Sequence, residues 1–218
     1  MEFEVCVGNY GYYSEGELRD RWVTLPMRDE DLAAWLKASG LRDPMHEEVY
    51  VSDYDAPLGI ERFGECASLD SLNMLAKVMD REGEGAVERV EAALDCGIDA
   101  PGTVSGLANL ILQADEIPFY EYYFDGIGNC RNMGAEEKLG YTVAEETGLI
   151  DKLSEIGAEY YFDFERYGAD LTINEYTIGE DGYLDRCADM PAEDCYDLEE
   201  LRGIAAEWDA DHAAARAA

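Results

Sequence analysis

Histidine is nearly absent from this chain, which removes much of ordinary enzyme chemistry. Only His46 and His212 occur in 218 residues, leaving little for histidine-based catalysis or metal binding. The sequence has no G-K-[ST] phosphate loop, no G-x-S-x-G nucleophile elbow and no EF-hand loop. The segment GIGNC at 126–130 lacks the third glycine of a dinucleotide fingerprint. We therefore predict a protein that is not an enzyme, with no catalytic residue, metal site or cofactor.

Long apolar runs are also missing. The first ten residues, MEFEVCVGNY, are acidic and do not form a signal peptide. No stretch approaches the ~20 apolar residues of a membrane span. None of the six cysteines forms a C-x-x-C pair. The sequence therefore predicts a cytoplasmic protein without membrane contact, whose cysteines are reduced and are mostly small core residues.

Basic residues are few, and the resulting acidity is spread along the whole chain. The chain has 16 Lys and Arg residues and 50 Asp and Glu residues, which gives a net charge of -34. Segments 1–60, 61–135, 136–170 and 171–218 carry net charges of -8, -9, -7 and -10. With 47% hydrophobic residues the chain can still build a core, so disorder does not explain the acidity. Such a surface repels nucleic acid and anionic membranes, and we predict no direct nucleic-acid binding.

The acidity alone leaves several functions open. The carboxylates could meet a basic partner, adapt the protein to high salt, or have no consequence. A salt-adapted enzyme would need a concave pocket with perturbed carboxylates, and an acidic chaperone would bind basic proteins broadly. Paired carboxylates can hydrolyse glycosides, but fifty acids produce such pairs by chance.

Residue patterns predict small sheets and several helices. Alternation predicts strands at 3–7, 22–26 and 47–54, with an ordered Gly/Tyr-rich loop after the first strand. Helical spacing predicts helices at 29–39, 68–80, 86–97, 103–113 and 135–148, with a further turn or helix after Gly148. A β-prone stretch occupies 117–124, a hairpin 172–184, and an exposed helix lies near 197–208. Tyr54, Tyr160, Tyr161, Phe164 and Tyr167 are expected to be mainly core residues, with dimer contacts as the alternative for some of them.

These elements predict an α+β fold built as an elongated chain of three small units. The units are an N-terminal β-sheet plus helix, a central helical unit and a C-terminal α+β unit. Their predicted bounds are 1–60, 61–115 and 116–186, followed by an acidic C-terminal extension at 187–218.

The amount of charge suits a protein that competes with DNA. Duplex DNA carries one negative charge per ~1.7 Å of axis, so 34 charges correspond to about 58 Å, or roughly 17 base pairs. A basic DNA-binding channel gains affinity largely through counterion release, and a polyacidic protein can gain in a related way.

Five motifs occur in order along the chain and together resemble one family. They are VCVGNYGYYSEGELRDRWVTLP (5–26), EEVYVSDYDAP (47–57), SLDSLNMLA (68–76), GYTVAEETG (140–148) and YYFDFERYGADL (160–171). Over residues 3–185 the sequence thereby resembles the ArdA family of antirestriction proteins. Ala169 stands where the family's Y-G-R-D-L block has Arg, and the middle of the chain matches least well.

The resemblance implies a dimeric mimic of B-form DNA. Such proteins need no cofactor and block type I restriction–modification enzymes by occupying the DNA site of the methyltransferase core. They are usually carried by mobile elements. We expect this chain to be a homodimer with the same partner.

Fourteen acids are the predicted partner-binding residues. We expect the C-terminal unit to supply most of them, since helices fix carboxylate spacing better than flexible loops. Each acid alone is expected to contribute little. The set comprises Glu47, Glu48, Asp53, Asp55, Glu136, Glu137, Glu145, Glu146, Asp151, Glu155, Glu159, Asp163, Glu165 and Asp170.

Overall fold

Alternating apolar residues at the start of the chain form the central strand of an antiparallel sheet. The computed structural model describes residues 1–122, 133–192 and 194–217. Its first strand, β1 (Phe3–Asn9), lies between β2 (Arg21–Leu25) and β3 (Val49–Asp55). Val5 and Val7 are fully buried, because alternate residues of a strand share one face. The three predicted strands are confirmed, with small shifts at their ends.

The segment after β1 folds differently from the sequence expectation. We predicted an ordered loop, but α1 (Tyr10–Ser14) is a short helix. Asn9 caps it, since its side-chain oxygen accepts hydrogen bonds from the N–H groups of Gly11 and Tyr12. One good N-cap is enough to start a helical turn in a Gly- and Tyr-rich stretch.

The central part of the chain is helical, as predicted. Ser68 caps one helix by accepting a 3.1 Å hydrogen bond from the N–H of Ser71. Thr103 caps another, because its hydroxyl oxygen accepts a 3.0 Å hydrogen bond from the N–H of Gly106. The capping hydroxyls satisfy backbone donors that have no partner inside the helix. The helices of this part are α3 (Leu69–Glu82), α4 (Glu84–Asp95) and α5 (Val104–Leu112). The helix predicted for the N-terminal part is α2 (Asp29–Ala38), which lies between β2 and β3 in the chain.

The last helix is longer and better packed than expected. We predicted an exposed helix near 197–208, whereas α9 (Leu198–Ala217) packs on α3 and α5 and buries Leu201, Ala205 and Trp208. These three residues follow i, i+4, i+7 spacing and so share one helix face. The expectation of exposure was wrong, because acids and alanines around this short apolar stripe obscured it.

A second small sheet lies in the C-terminal half. Its strands are antiparallel in the order β4 (Phe119–Glu121), β6 (Gly182–Asp185), β5 (Tyr176–Ile178), which confirms the predicted hairpin. Of the β-prone stretch 117–124, residues 123–124 lie outside the described residues, as does GIGNC at 126–130. Three helices accompany the sheet: α6 (Ala135–Glu146), α7 (Leu149–Glu155) and α8 (Phe164–Thr172).

The chain divides into two compact units. Unit 1 comprises Met1–Val90, Ala100–Asp115 and Pro191–Ala218, and unit 2 comprises Glu91–Asp99 and Glu116–Met190. Both combine helices with a small antiparallel sheet, so the predicted α+β class is confirmed. The finer division into three small units and an extension stays a prediction.

The expectation that Tyr160 and Tyr161 are core residues was wrong. They are 93% and 84% exposed, because α8 begins only at Phe164 and the aromatic spacing does not extend back along a helix. Of the cysteines whose side chains the structure describes, Cys6 and Cys96 are buried and Cys187 and Cys195 are exposed. That most of the six cysteines are core residues therefore stays a prediction.

Candidate partner-binding surface

Helix α6 presents acids at both of its ends. Leu139 and Val143 are buried and hold the helix against the core of unit 2. The first turn carries Glu136 and Glu137, where the helix dipole favours carboxylates. The last turn carries Glu145 and Glu146, where the dipole disfavours them by about 0.3–1 kcal/mol each. Glu145 and Glu146 therefore lower the stability of the C-terminal turn of α6.

Helix α8 carries acids on its exposed side. Asp163 caps it by accepting a 2.9 Å hydrogen bond from the N–H of Arg166. Leu171 and Gly168 point inward, and Glu165 and Asp170 are exposed. The apolar residues thus fix the orientation of the helix, and the carboxylates take the remaining face.

The structure distributes the fourteen predicted acids over both units. All are exposed except Glu137, which is half-buried. Ten belong to unit 2, on α6, α7, α8 and the short segment that joins α7 to α8. The other four, Glu47, Glu48, Asp53 and Asp55, belong to unit 1, just before and within β3. The two groups are therefore separate sets of residues, each described within its own unit.

Among the described residues, none of these acids is neutralised by a neighbouring cation. Within residues 1–122, 133–192 and 194–217, no ion pair involves any of the fourteen. Segment 136–170 contains ten acids and only three bases. Its charges therefore remain available to an external cation, and they repel one another while none is bound.

One acid of unit 2 is oriented by the core. Tyr183 is buried, and its hydroxyl lies 3.2 Å from both carboxylate oxygens of Glu146. Tyr183 also packs against Tyr120, Tyr122 and Tyr176. Burial, reinforced by the charge of Glu146, raises the pKa of Tyr183 and keeps its hydroxyl a donor at neutral pH. The hydrogen bond therefore holds the Glu146 carboxylate at the end of α6.

A polar cluster in unit 1 was not foreseen from the sequence. His46 lies 3.0 Å from Asp43 through Nδ1 and 3.2 Å from Glu15 through Nε2. Its ring stacks on Tyr12 with centroids 4.0 Å apart, and the guanidinium of Arg19 lies 3.6 Å above the Tyr12 ring. The sequence does not indicate this cluster, because no local pattern brings residues 12, 15, 19, 43 and 46 together.

The electrostatics of this cluster keep its charges in place. The hydrogen bond that Tyr12 donates at 2.6 Å, with others from Met45 and His46, holds the pKa of Asp43 far below its usual range. Hydrogen bonds to Asp43 and Glu15 raise the pKa of His46. Asp43 thus stays ionised, which suits an ion pair and is opposite to what a general acid needs.

Unit 1 also contains a buried cation. Lys77 on α3 is 1% exposed, and its ammonium lies 2.6 Å from Asp29 and 2.6 Å from Asp209. The same ammonium is 5.7 Å from the centroid of Trp208, whose indole donates a 2.9 Å hydrogen bond to Asp80. These contacts join α2, α3 and α9, so here the acids stabilise the fold itself.

Other kinds of site find little support. In the described ranges, no cluster of three or more His, Cys, Asp or Glu residues could hold a metal ion. No helix of the described part is long and apolar enough to cross a membrane. The cleft between α2, α3 and α9 is lined by two carboxylates, Asp29 and Asp70. Asp29 forms an ion pair with Lys77, so the two do not form a free carboxylate pair of the kind that acid–base catalysis uses.

Comparison with known protein families shows which family the chain belongs to. Residues 5–185 match the family model of the antirestriction protein ArdA. The chain belongs to the ArdA family. Membership in ArdA implies an antirestriction function and an interaction with restriction–modification enzymes. Helix α9 lies outside the matched residues, and no curated protein matches the chain.

Proposed function

We propose that this ArdA-family chain inhibits type I restriction–modification enzymes by mimicking B-form DNA. The exposed acids of unit 2 would occupy the DNA-binding surface of the methyltransferase core in place of phosphates. The observation that carries the proposal is that six of these ten acids stand on α6 and α8, helices with a buried side, and that none of the ten has an ion-pair partner in the described residues.

Two physical arguments support this function. A protein that binds DNA neutralises phosphates with Lys and Arg, and each contact releases counterions. Carboxylates without internal partners can enter the same contacts without first breaking an ion pair. Helices whose apolar side is buried also hold these groups in fixed relative positions, which lowers the entropy cost of binding.

The oligomeric state and the other binding properties are proposed from membership in the family. We propose that the chain acts as a homodimer, without cofactor and without binding nucleic acid itself. The four acids of unit 1, Glu47, Glu48, Asp53 and Asp55, are proposed to add to the same contact. Light scattering of the purified protein tests the dimer, and a gel-shift titration with duplex DNA tests the absence of direct binding.

The decisive experiment titrates the protein into a type I restriction–modification enzyme. Cleavage of unmodified plasmid is followed at low and at physiological salt. We expect stoichiometric inhibition that excess DNA reverses, and weaker inhibition at higher salt, because the contact is electrostatic. A folded protein that leaves cleavage unchanged at large excess would exclude this function for that enzyme. Equal binding to unrelated basic proteins would favour an acidic chaperone instead.

A further inference from the structure

Helices α6 and α8 touch through their backbones at two glycines. A Cβ atom added to Gly140 would lie 2.0 Å from the carbonyl oxygen of Phe164 and 2.8 Å from the nitrogen of Gly168. A Cβ atom added to Gly168 would lie 1.8 Å from the carbonyl oxygen of Glu136. These distances are far below an ordinary van der Waals contact of about 3.5 Å. Any side chain at either position would therefore force the two backbones apart.

Backbone conformation does not require glycine at these positions. Both residues lie inside helices, and neither is among the glycines with positive φ. A glycine in a helix interior costs about 0.5–1 kcal/mol relative to alanine. What the two glycines provide is the close approach of α6 to α8. Tyr141 and Phe164 pack beside this crossing, with ring centroids 5.2 Å apart.

The contact points adjoin acids of the proposed surface. Glu136 supplies the carbonyl that Gly168 meets, and Glu165 follows Phe164, whose carbonyl Gly140 meets. Glu136 and Glu165 both expose their side chains. The separation of the two backbones at the crossing therefore also sets the separation of carboxylates on α6 from carboxylates on α8.

We propose that Gly140 and Gly168 are positioning residues for inhibition. They act through the acids of α6 and α8, whose spacing they fix, and they make no contact with the partner themselves. This inference rests on the proposed function, since it concerns the geometry of the same surface. A methyl group at either glycine moves the helices apart by about 1.5 Å if the contact relaxes to its ordinary distance. The charge of the protein is unchanged.

The test compares alanine variants of equal charge. Gly140→Ala and Gly168→Ala are expected to weaken inhibition of a type I enzyme by about tenfold or more. Gly203→Ala is the matched control, because Gly203 also lies in a helix and its added Cβ would meet nothing within 4 Å. This control is expected to stay within twofold of the natural protein. Equal retention on an anion-exchange column verifies that the charge is unchanged.

A second control separates spacing from stability. Val143→Ala removes atoms from the core of unit 2 without adding any at the crossing, so it lowers stability and leaves the helices in contact. Inhibition by the folded Val143→Ala protein should stay near that of the natural protein. Folded glycine variants that inhibit as well as the natural protein, or that lose no more inhibition than an equally destabilised Val143→Ala variant, would overturn the proposal.

A further variant tests the proposal in case both glycine variants fail to fold. Exchanging two exposed neighbours on α8, as A169D with D170A, keeps composition and charge but moves one carboxylate by about 100° around the helix. A loss of inhibition of about two- to fivefold, the most that one exposed charge supplies, supports the dependence on carboxylate spacing on which the proposal rests, and unchanged inhibition contradicts it. Failure of the natural protein to inhibit type I enzymes would instead refute the proposed function, so the two failures are distinguishable.

Discussion

The two units use their acids in opposite ways. In the described residues, every ion pair lies in unit 1, where carboxylates bind Lys77, His46 and several arginines. In the same described part of the chain, the acids of α6, α7 and α8 in unit 2 have no such partner. A strongly acidic composition therefore does not by itself describe a surface. Acids stabilise unit 1 through ion pairs, whereas the acids of unit 2 are exposed without them.

The largest effect should come from removing the buried cation of unit 1. Lys77→Met keeps the volume but leaves Asp29 and Asp209 facing an uncharged side chain. We expect the free energy of unfolding to fall by about 2 kcal/mol, less than for a fully buried ion pair. Asp209, whose side chain is 22% exposed, loses its counter-charge, whereas Asp29 is 78% exposed and stays solvated. Urea unfolding measures the loss, and hydrogen exchange should locate it in unit 1.

Lys37→Met is the control for that experiment. Lys37 is exposed in the last turn of α2, and its replacement should change stability by less than about 0.5 kcal/mol. Adding Asp209→Asn to the Lys77→Met protein removes the carboxylate that has lost its counter-charge, and should recover part of the lost free energy of unfolding. Equal loss of protection in both units would contradict the division of roles.

The second test removes charge from the proposed surface. A five-site variant, with Gln at 136, 145, 155 and 165 and Asn at 170, should weaken inhibition by about tenfold or more. Exposed ion pairs contribute about 0.2–1 kcal/mol each, so five together reach the 1.4 kcal/mol of a tenfold change. The plasmid-cleavage titration gives the measurement. The stability of unit 2 should change little, because the relief of repulsion among these acids offsets the lost dipole interactions of Glu136 and Glu165 in the first turns of their helices.

An equal change of charge in unit 1 is the matched control. Five exposed acids outside the predicted set are replaced by Gln, namely Glu30, Glu61, Glu65, Glu84 and Glu88. Inhibition should change much less than in the unit 2 variant. Equal losses in the two variants would mean that only total charge matters, and the distinction between the units would then fail.

A smaller effect is expected at the end of α6. Tyr183→Phe removes the hydroxyl that donates to Glu146, at a cost of about 1 kcal/mol to the stability of unit 2. Urea unfolding measures this cost. Tyr161→Phe, at an exposed site, should have no measurable effect. A Tyr183→Phe protein as stable as the natural one would show that the hydrogen bond does not hold Glu146 in solution.

The smallest effect is a pH dependence in unit 1. The folded-state pKa of His46 is raised above its ordinary value by Asp43 and Glu15. Its contribution to stability is therefore complete below about pH 6 and is lost as pH rises through the raised pKa. The difference in unfolding midpoint between the natural protein and His46→Gln should shrink with increasing pH. A difference independent of pH would assign the effect to stacking on Tyr12.

Local patterns predicted most elements but few of the contacts between them. The strands, α2, α3, α6 and the hairpin β5–β6 follow from periodicity, caps and turn residues close together in sequence. The cluster around His46 and the crossing of Gly140 with Gly168 depend on residues far apart in the chain, and no local rule reports them. The buried face of α9 was present as Leu201, Ala205 and Trp208, but three apolar residues are a weak signal among acids and alanines.

The same limit applies to the candidate surface. Exposure of the acids was predictable, because unpaired carboxylates are rarely buried. The sequence could not show which acids have partners, since pairing depends on which cations the fold brings near. Lys77 binds Asp29, 48 positions away, and Asp209 on the final helix.

In the described residues the acids of unit 2 have no ion-pair partner, which has a consequence for the free protein. Their mutual repulsion opposes the compact state, and a bound cationic surface would remove that repulsion. By thermodynamic linkage, a partner that binds only the folded form also stabilises it. Under the proposed function, folding of unit 2 and binding of the partner are therefore coupled: unit 2 would reach its greatest stability in the complex, whereas unit 1 has ion pairs within its own chain.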